Sequence, residues 1–351
     1  MNNNFPFTLT TLAENPEYFE EVIALIEKEF HYNHNQSYAS DFALLMDPLN
    51  FENCFLYVDR ETNRVVSHLA ACPRMMIKNN CKLNVVFIGG IATVKEFRGR
   101  DLFKKLMNHA LQFFSKDTGL FILWSEITGL YEKFSFHLNG GLIETGHGVF
   151  TPSNPPIGFK KTTFKELSMK DFENIKDIYS HFNENYFFTV TRSEKEWSII
   201  KEMNSIDLYL KKSEEGSIEQ YFCINKGRDL TNIIHEIGCH PDQYMSLIKS
   251  LKQFKTWLPE SELSLSTNKD IFFTAFMRLG NENILKAFLK ELSDDDLILT
   301  SMTGDMVTFK FETTDYHASH RDFMQYLFGP KPLKEFEKLK LSPYITGTDS
   351  I

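Results

Sequence analysis

The chain has 351 residues, 42% hydrophobic and 24% charged, which excludes a largely disordered, collagen-like or low-complexity protein and leaves room for two domains. Thirty-eight basic against 47 acidic residues give a formal charge of −9. That is the wrong sign for a general nucleic-acid binder, and it suits a soluble protein mildly favourable to cationic substrates.

Phe7 to Thr11 reads as a strand, and Asn15-Pro16 as the entry to a helix whose stripe is Phe19, Val22, Ile23, Ile26 and Phe30. A hairpin follows, from Phe55–Val58 through a polar turn to Val65-Val66. Leu83 to Val94 is a long strand, apolar on both faces and so central in a sheet, interrupted by Gly89 and Gly90, which mark a bulge or a close backbone approach. A turn, Glu96-Phe97-Arg98-Gly99-Arg100-Asp101, leads into a helix with Phe103, Leu106, Met107, Ala110, Leu111 and Phe114 on one face. A strand over Leu120–Trp124 comes next.

Thr151-Pro152-Ser153-Asn154-Pro155-Pro156-Ile157-Gly158 crowds turn-forming residues and reads as a linker. The predicted division is a first domain over 1–150, a linker over 151–162, a second domain over 163–330 and a tail over 331–351. The second domain opens like the first. It has a strand at Thr163–Leu167, a Ser168 cap, a stripe of Phe172, Ile175, Ile178 and Phe182, and a hairpin from Leu208–Leu210 to Ile218. This pattern predicts a diverged duplication of one α/β unit. A strand over Asn232–Ile237 and a helix with Tyr244, Leu247, Ile248 and Leu251 continue the match, without an arginine-glycine turn between them. Helices around Glu282–Leu292 and Ser319–Leu327 and strands around Leu297–Thr300 and Val307–Phe311 complete the domain. The proline-dotted, polar tail reads as frayed.

The strand, arginine-glycine turn and helix start together suggest an anion site, since a helix opens with unpaired N–H groups and a positive dipole end that Arg98 and Arg100 reinforce. The alternative is an ordinary turn with solvated arginines.

The segment from Ile91 to Phe103 resembles the acyl-CoA-binding motif of the GNAT N-acetyltransferases, and Leu130-Tyr131-Glu132-Lys133-Phe134-Ser135-Phe136 resembles that family's downstream Tyr-Glu-Lys-x-Gly-Phe segment. The resemblance covers roughly residues 5 to 147. It departs from the pattern at Asp101, where a glycine is expected, at Phe103, where a small residue is expected, and at Ser135, which replaces a glycine. It implies an α/β fold of two GNAT-like domains, the second degenerate, each a mixed, mostly antiparallel twisted sheet flanked by helices. It also implies acetyl-CoA as cosubstrate and the amine of a small molecule or peptide as acceptor, with no nucleic acid or membrane as partner. The backbone of Arg98, Gly99, Arg100, Asp101, Leu102 and Phe103 would hold the pyrophosphate. Ile91, Ala92 and Thr93 would line the pantetheine arm and give an N–H to the thioester carbonyl. Tyr131 would protonate the leaving thiolate, and Glu126, with His68 and His137 as alternatives, would take the amine proton. Some two-lobed relatives fold the end of the chain into the acceptor site, so Ile345 to Ile351 has that alternative to fraying.

Two other readings stay open: a GNAT-like scaffold in which Asp101 has ended coenzyme binding, and an aminoacyltransferase of the Fem type, which would need a basic tRNA-binding surface. Cys54, Cys72, Cys81, Cys223 and Cys239 are odd in number and lack Cys-x-x-Cys spacing, so a reducing cytoplasm is expected. Met1 to Pro6 has no basic-then-apolar start, so no signal peptide is expected, and no apolar run reaches the roughly 18 residues of a membrane helix. His235 with Cys239 and His240, and His317 with His320, lack a second ligand pair, and no metal site is predicted.

Overall fold

The computed structural model describes residues 5–153, 155–259, 270–330, 334–339 and 341–351. The first half runs β1 (Phe7–Thr11), α1 (Phe19–Glu29), α2 (Tyr38–Asp41), α3 (Ala43–Met46), β2 (Cys54–Asp59), β3 (Arg64–Lys78), β4 (Cys81–Thr93), α4 (Leu102–Phe113), β5 (Leu120–Leu123), α5 (Thr128–Tyr131) and β6 (His137–Thr145). The second runs β7 (Lys160–Thr162), α6 (Met169–Tyr179), β8 (Phe188–Val190), α7 (Glu194–Lys201), β9 (Asp207–Lys212), β10 (Ile218–Ile224), β11 (Ile234–Cys239), α8 (Tyr244–Leu251), β12 (Thr256–Pro259) and β13 (Asp270–Leu279). Then come α9 (Glu282–Leu292), β14 (Leu297–Thr303), β15 (Met306–Phe311), β16 (Thr314–Ser319), α10 (His320–Phe328) and β17 (Pro343–Tyr344).

The duplication is visible in the strand pairing. In the first half β1, β2, β3 and β4 pair antiparallel in succession, and β4 then pairs parallel with β5. In the second, β7, β9, β10 and β11 repeat that series, and β11 pairs parallel with β12. The helices match too. Val22, Ile23 and Ile26 of α1 and Leu106, Met107 and Ala110 of α4 bury opposite faces of the first sheet, as Phe172, Ile175 and Ile178 of α6 and Leu247 and Leu251 of α8 do in the second. Each helix hides its apolar stripe at 3.6-residue spacing against the strands.

The halves do not close separately. β5 is completed by β13 from the second half, β12 by β6 from the first, and β6 and β13 pair with each other, so among the described residues the order β5-β13-β6-β12 joins the two series into one 14-stranded sheet. β13 is an element that the sequence reading leaves unassigned. Two other details differ. The second half opens with a strand at Lys160–Thr162 rather than Thr163–Leu167, which forms turns held by Glu166 N–H to the Thr163 carbonyl and Leu167 N–H to the Phe164 carbonyl. β14, β15 and β16 form a small separate sheet whose inward residues, Leu297, Leu299, Val307, Phe309 and Phe311, pack against α9 and α10.

The tail corrects the expectation of a frayed end. β17 pairs parallel with β8, and Ile345, Thr346, Thr348, Asp349 and Ile351 are buried. No helix among the described residues is long and apolar enough to cross a membrane. All five cysteines are free and buried.

Candidate acyl-coenzyme site

The site starts where two parallel strands part. β4 and β5 pair only from Val85–Leu120 to Ile88–Leu123. β5 ends at Leu123, while β4 continues to Thr93 with β3 as its partner. A wedge therefore opens beside Gly89, Gly90, Ile91 and Ala92. The pairing of β3 with β4 slips at the same point, between His68 opposite Ala92 and Ala70 opposite Gly89, so β4 carries a bulge there. Gly90 adopts φ +60°, and a Cβ on it would lie 3.2 Å from His68 Cε1, so both backbone and space call for glycine.

His68 is fully buried, and its Nδ1 lies 2.7 Å from the Gly90 carbonyl oxygen. With that carbonyl as acceptor, Nδ1 carries the proton, and the ring braces the bulge. Burial lowers its pKa to about 4, and burial does the same to His235, also to about 4. Both rings are neutral when folded at pH 7. Below pH 6.5 the unfolded chain takes up the proton first, so stability is present above that pH and is lost as the pH falls toward 4. Each ring is expected to contribute roughly 3 kcal/mol to this loss. Urea unfolding of the wild type and of His68→Gln between pH 7 and 4 checks this: the variant should show the smaller pH dependence.

The turn after β4 gathers positive charge. Between Lys95 and Lys105 there are five cations and two carboxylates in a chain of charge −9. Gly99 has φ +77°, and Asp101, at the N-cap of α4, has φ +60° with no side-chain capping bond. Asp101 thus takes the left-handed backbone that a glycine adopts freely and an aspartate tolerates. Its carbonyl accepts from Lys105 N–H at 2.9 Å, so the N–H groups of Leu102, Phe103 and Lys104 precede the first intrahelical bond. Arg98 is drawn back toward the sheet, with Nε on the Thr93 carbonyl at 3.1 Å and an ion pair to Glu29 at the end of α1. Arg100 lies over the Phe97 ring at 5.1 Å and is exposed. Leu102 is buried in the core, and Phe103 packs on Phe134 and Tyr131, which is how a large residue is accommodated there. In the matching turn of the second half, Pro241-Asp242-Gln243, there is neither glycine nor arginine.

Tyr131 ends α5 and is held between Phe103 and Phe276, with centroids 6.0 and 5.9 Å away. It is 6% exposed. Burial raises its pKa, and a hydrogen bond with Ser125 works against that rise. Phe276 belongs to β13, so the second half helps to seat this ring. Ser135 has φ +60°, the conformation that suits the glycine it replaces. Glu126 is exposed in the loop between β5 and α5. His137 opens β6, half-buried, with its pKa lowered by burial and next by Arg321. His31 and His34 lie exposed in the loop after α1. Among the described residues no group of three or more His, Cys, Asp or Glu side chains is placed to hold a metal ion.

Sequence reading misses a cluster of buried charges behind the site. Asp349, in the tail, receives Arg74 Nη2 at 2.8 Å and Arg192 Nη2 at 2.7 Å. Arg192 also donates to both oxygens of Glu236, at 3.1 and 2.6 Å, and its guanidinium lies 3.8 Å from the Tyr179 ring centre. Tyr221 donates to Glu236 at 2.9 Å, and Arg74 pairs with Glu196 at 2.6 Å. Burial pushes the Asp349 carboxyl up, but Arg192 and Arg74 more than offset it and hold it well below the ordinary carboxylate value. Composition gave no signal for this cluster, since its partners lie up to 275 positions apart. A cleft of about 740 Å³ lies beside this cluster, lined by Arg74, Arg192 and Glu196 together with residues of α3, β3 and β4, and it does not include Gly89 to Ala92.

A β4 that outruns its partner β5, a bulge at that point and a following helix start with excess positive charge make up the candidate site. Residues 13–138 match the family model described as an acetyltransferase (GNAT) domain. Among solved structures, the chain is similar to a GCN5-related N-acetyltransferase from Anabaena variabilis, with TM-score 0.62 and 14% identity over 98% of this chain and 100% of that one. It is similar to another from Kribbella flavida, with TM-score 0.59 and 12% identity over the full length of both chains. It also resembles the N-myristoyltransferase of Saccharomyces cerevisiae with bound myristoyl-CoA, with TM-score 0.55 and 12% identity over 79% of this chain and 83% of that one. At such identities the likeness is one of fold. A comparison with curated proteins gives no match.

Proposed function

We propose that the protein transfers an acetyl group from acetyl-CoA to the amine of a small molecule or peptide by direct attack. The observation that carries this reading is the cationic turn from Lys95 to Lys105, set at the start of α4 and directly after the wedge between β4 and β5. The free N–H groups of Leu102, Phe103 and Lys104, with Arg100, bind the pyrophosphate. Arg98 shapes the turn. The pantetheine arm lies in the wedge along Ile91 to Thr93, where a main-chain N–H stabilises the oxyanion of the tetrahedral intermediate. Tyr131 gives its phenol proton to the departing thiolate, and Glu126 receives the amine proton, directly or through water. The acidic balance of the chain favours a cationic acceptor. The five free cysteines support the cytoplasm as its compartment.

Asp101 favours a second reading, a ligand-sensing scaffold, because its carboxylate stands beside the phosphate position. Thermal shift with acetyl-CoA separates the two. An acetyltransferase is expected to gain about 2.7 kcal/mol of stability at 100 times Kd. Asp101→Gly is expected to bind acetyl-CoA several-fold more tightly, since the like charge is removed and the left-handed backbone is kept at no steric cost. No shift at millimolar acetyl-CoA in either protein selects the scaffold.

A further inference from the structure

Gly90 is held at both of its peptides. Its carbonyl accepts from His68 Nδ1 at 2.7 Å, and the Tyr38 hydroxyl oxygen takes a backbone hydrogen bond from Gly90 N–H. His68 comes from β3 and Tyr38 from α2, and neither is more than 1% exposed. A Cβ on Gly90 would also lie 3.4 Å from Ile26 Cδ1 of α1, so both grips come from the α1 side of the sheet. Tyr38 is fixed in turn. Its ring meets Phe42, Phe30 and Tyr32 with centroids 4.6, 5.7 and 5.8 Å away, and its N–H donates to Glu27 Oε1 at 2.9 Å. His68 Nε2 is buried and has no partner among the described residues. A buried polar atom left without a partner costs stability, so this ring calls for a role that offsets the loss.

The direction of the next peptide follows from the first grip. A trans peptide is planar, with its carbonyl and its N–H pointing opposite ways. The Gly90 carbonyl and the Ile91 N–H belong to one such unit. With the carbonyl turned to His68, the Ile91 N–H points away from β3. The ladder gives the same direction. Val94 N–H donates to the Val66 carbonyl at 2.9 Å, so Ala92 and Val94 face β3 while Ile91 and Thr93 face the other edge. β5, the neighbour on that edge, has ended at Leu123.

We infer that His68 and Tyr38 are positioning residues for acyl transfer: by gripping the two peptides that meet at Gly90, they aim the Ile91 N–H at the thioester oxygen of the coenzyme. The inference rests on the proposed acetyl transfer and gives neither side chain a contact with the reacting atoms. In the step they serve, the amine nitrogen bonds to the thioester carbon and the C–S bond breaks with its electron pair on sulfur. Tyr131 protonates that thiolate, and Glu126 takes the proton the amine loses. A donor helps most when it is in place before the oxyanion forms. Glycine leaves the backbone at position 90 free to rotate, and the two side chains remove that freedom.

The test uses the full chain and acetyl-CoA labelled with carbon-13 at the thioester carbonyl. In the wild-type complex the infrared band of that carbonyl should lie below its position in free acetyl-CoA, as a hydrogen-bonded carbonyl does. His68→Leu and His68→Asn introduce side chains of nearly the same shape, and only asparagine keeps a donor for the Gly90 carbonyl. The leucine variant should lose most of the band shift and about tenfold in kcat for transfer to spermidine. The asparagine variant should recover most of both. Tyr38→Phe removes a single oxygen and should move both in the leucine direction by less. The Kd for acetyl-CoA, by calorimetry, should stay close to wild type throughout. The band is the deciding measurement, because it needs no acceptor. An unshifted band in the wild-type complex would overturn the inference, as would a wild-type band in whichever of His68→Leu and Tyr38→Phe folds, or an asparagine variant no better than leucine. Failure of the wild-type protein to bind acetyl-CoA at all would instead overturn the acetyl-transfer reading, and this inference with it.

Discussion

Tyr131→Phe is expected to slow acyl transfer about a hundredfold or more, with acetyl-CoA affinity within twofold of wild type. The reasoning starts from the ring's surroundings. Phe103 and Phe276 hold it on both sides, so removing one oxygen leaves the packing in place. On the proposed mechanism what is lost is the phenol proton, and general acids of this kind contribute roughly 10²–10⁴-fold. A change seen in kcat with unchanged coenzyme binding is the mark of an interaction made in the transition state. Burial raises the phenol's pKa, so the acid stays protonated through neutral pH and kcat should not fall on the alkaline side of neutrality through loss of this proton. Steady-state kinetics across pH 6 to 10 check both statements. Full activity in the variant would remove Tyr131 from the chemistry and leave it as a packed aromatic.

Arg192→Ala is expected to cost about 3–5 kcal/mol of folding stability, the amount typical of breaking a buried ion pair from one side. Arg192 is fully enclosed and faces two carboxylates, Asp349 and Glu236. Without it both are left in the interior, Asp349 with Arg74 and the Tyr179 and Thr346 hydroxyls, and Glu236 with the Tyr221 and Thr346 hydroxyls. Total stabilities of about 5–15 kcal/mol make this a large fraction. Urea unfolding of the variant checks it. Arg192→Lys keeps the charge but not the forked geometry and should fall in between. A loss under 1 kcal/mol would mean that the cluster is far wetter than its burial indicates.

The first half was readable because its signals are local. Periodicity placed α1 and α4, Gly89 and Gly90 marked the bulge, and the arginine-glycine turn stood at a helix start. What escaped depends on contacts far apart in the chain. The apolar run from Ile271 to Met277 has the composition of a strand, but nothing in it says that it enters the sheet between β5 and β6. Thr346-Gly347-Thr348-Asp349-Ser350 has the composition of an exposed turn, and only the arrival of Arg74 and Arg192 turns it into a buried one. Phe103 and Ser135 departed from the motif by residue type, yet the fold takes both, one by packing on Tyr131 and Phe134 and one by its left-handed backbone. For Asp101 the backbone conformation matches a glycine while the carboxylate remains, which is why coenzyme titration of Asp101→Gly is informative.

The exchange of strands at the centre of the sheet governs how the chain is made as well as what it becomes. As the polypeptide leaves the ribosome, β5 and β6 emerge with a neighbour still missing, and that neighbour, β13, arrives some 130 residues later by chain numbering. Until then two apolar edges stay open to other nascent chains. The architecture binds the two copies into a single folding event, and a gene cut between them would leave each product lacking the strand that seals it.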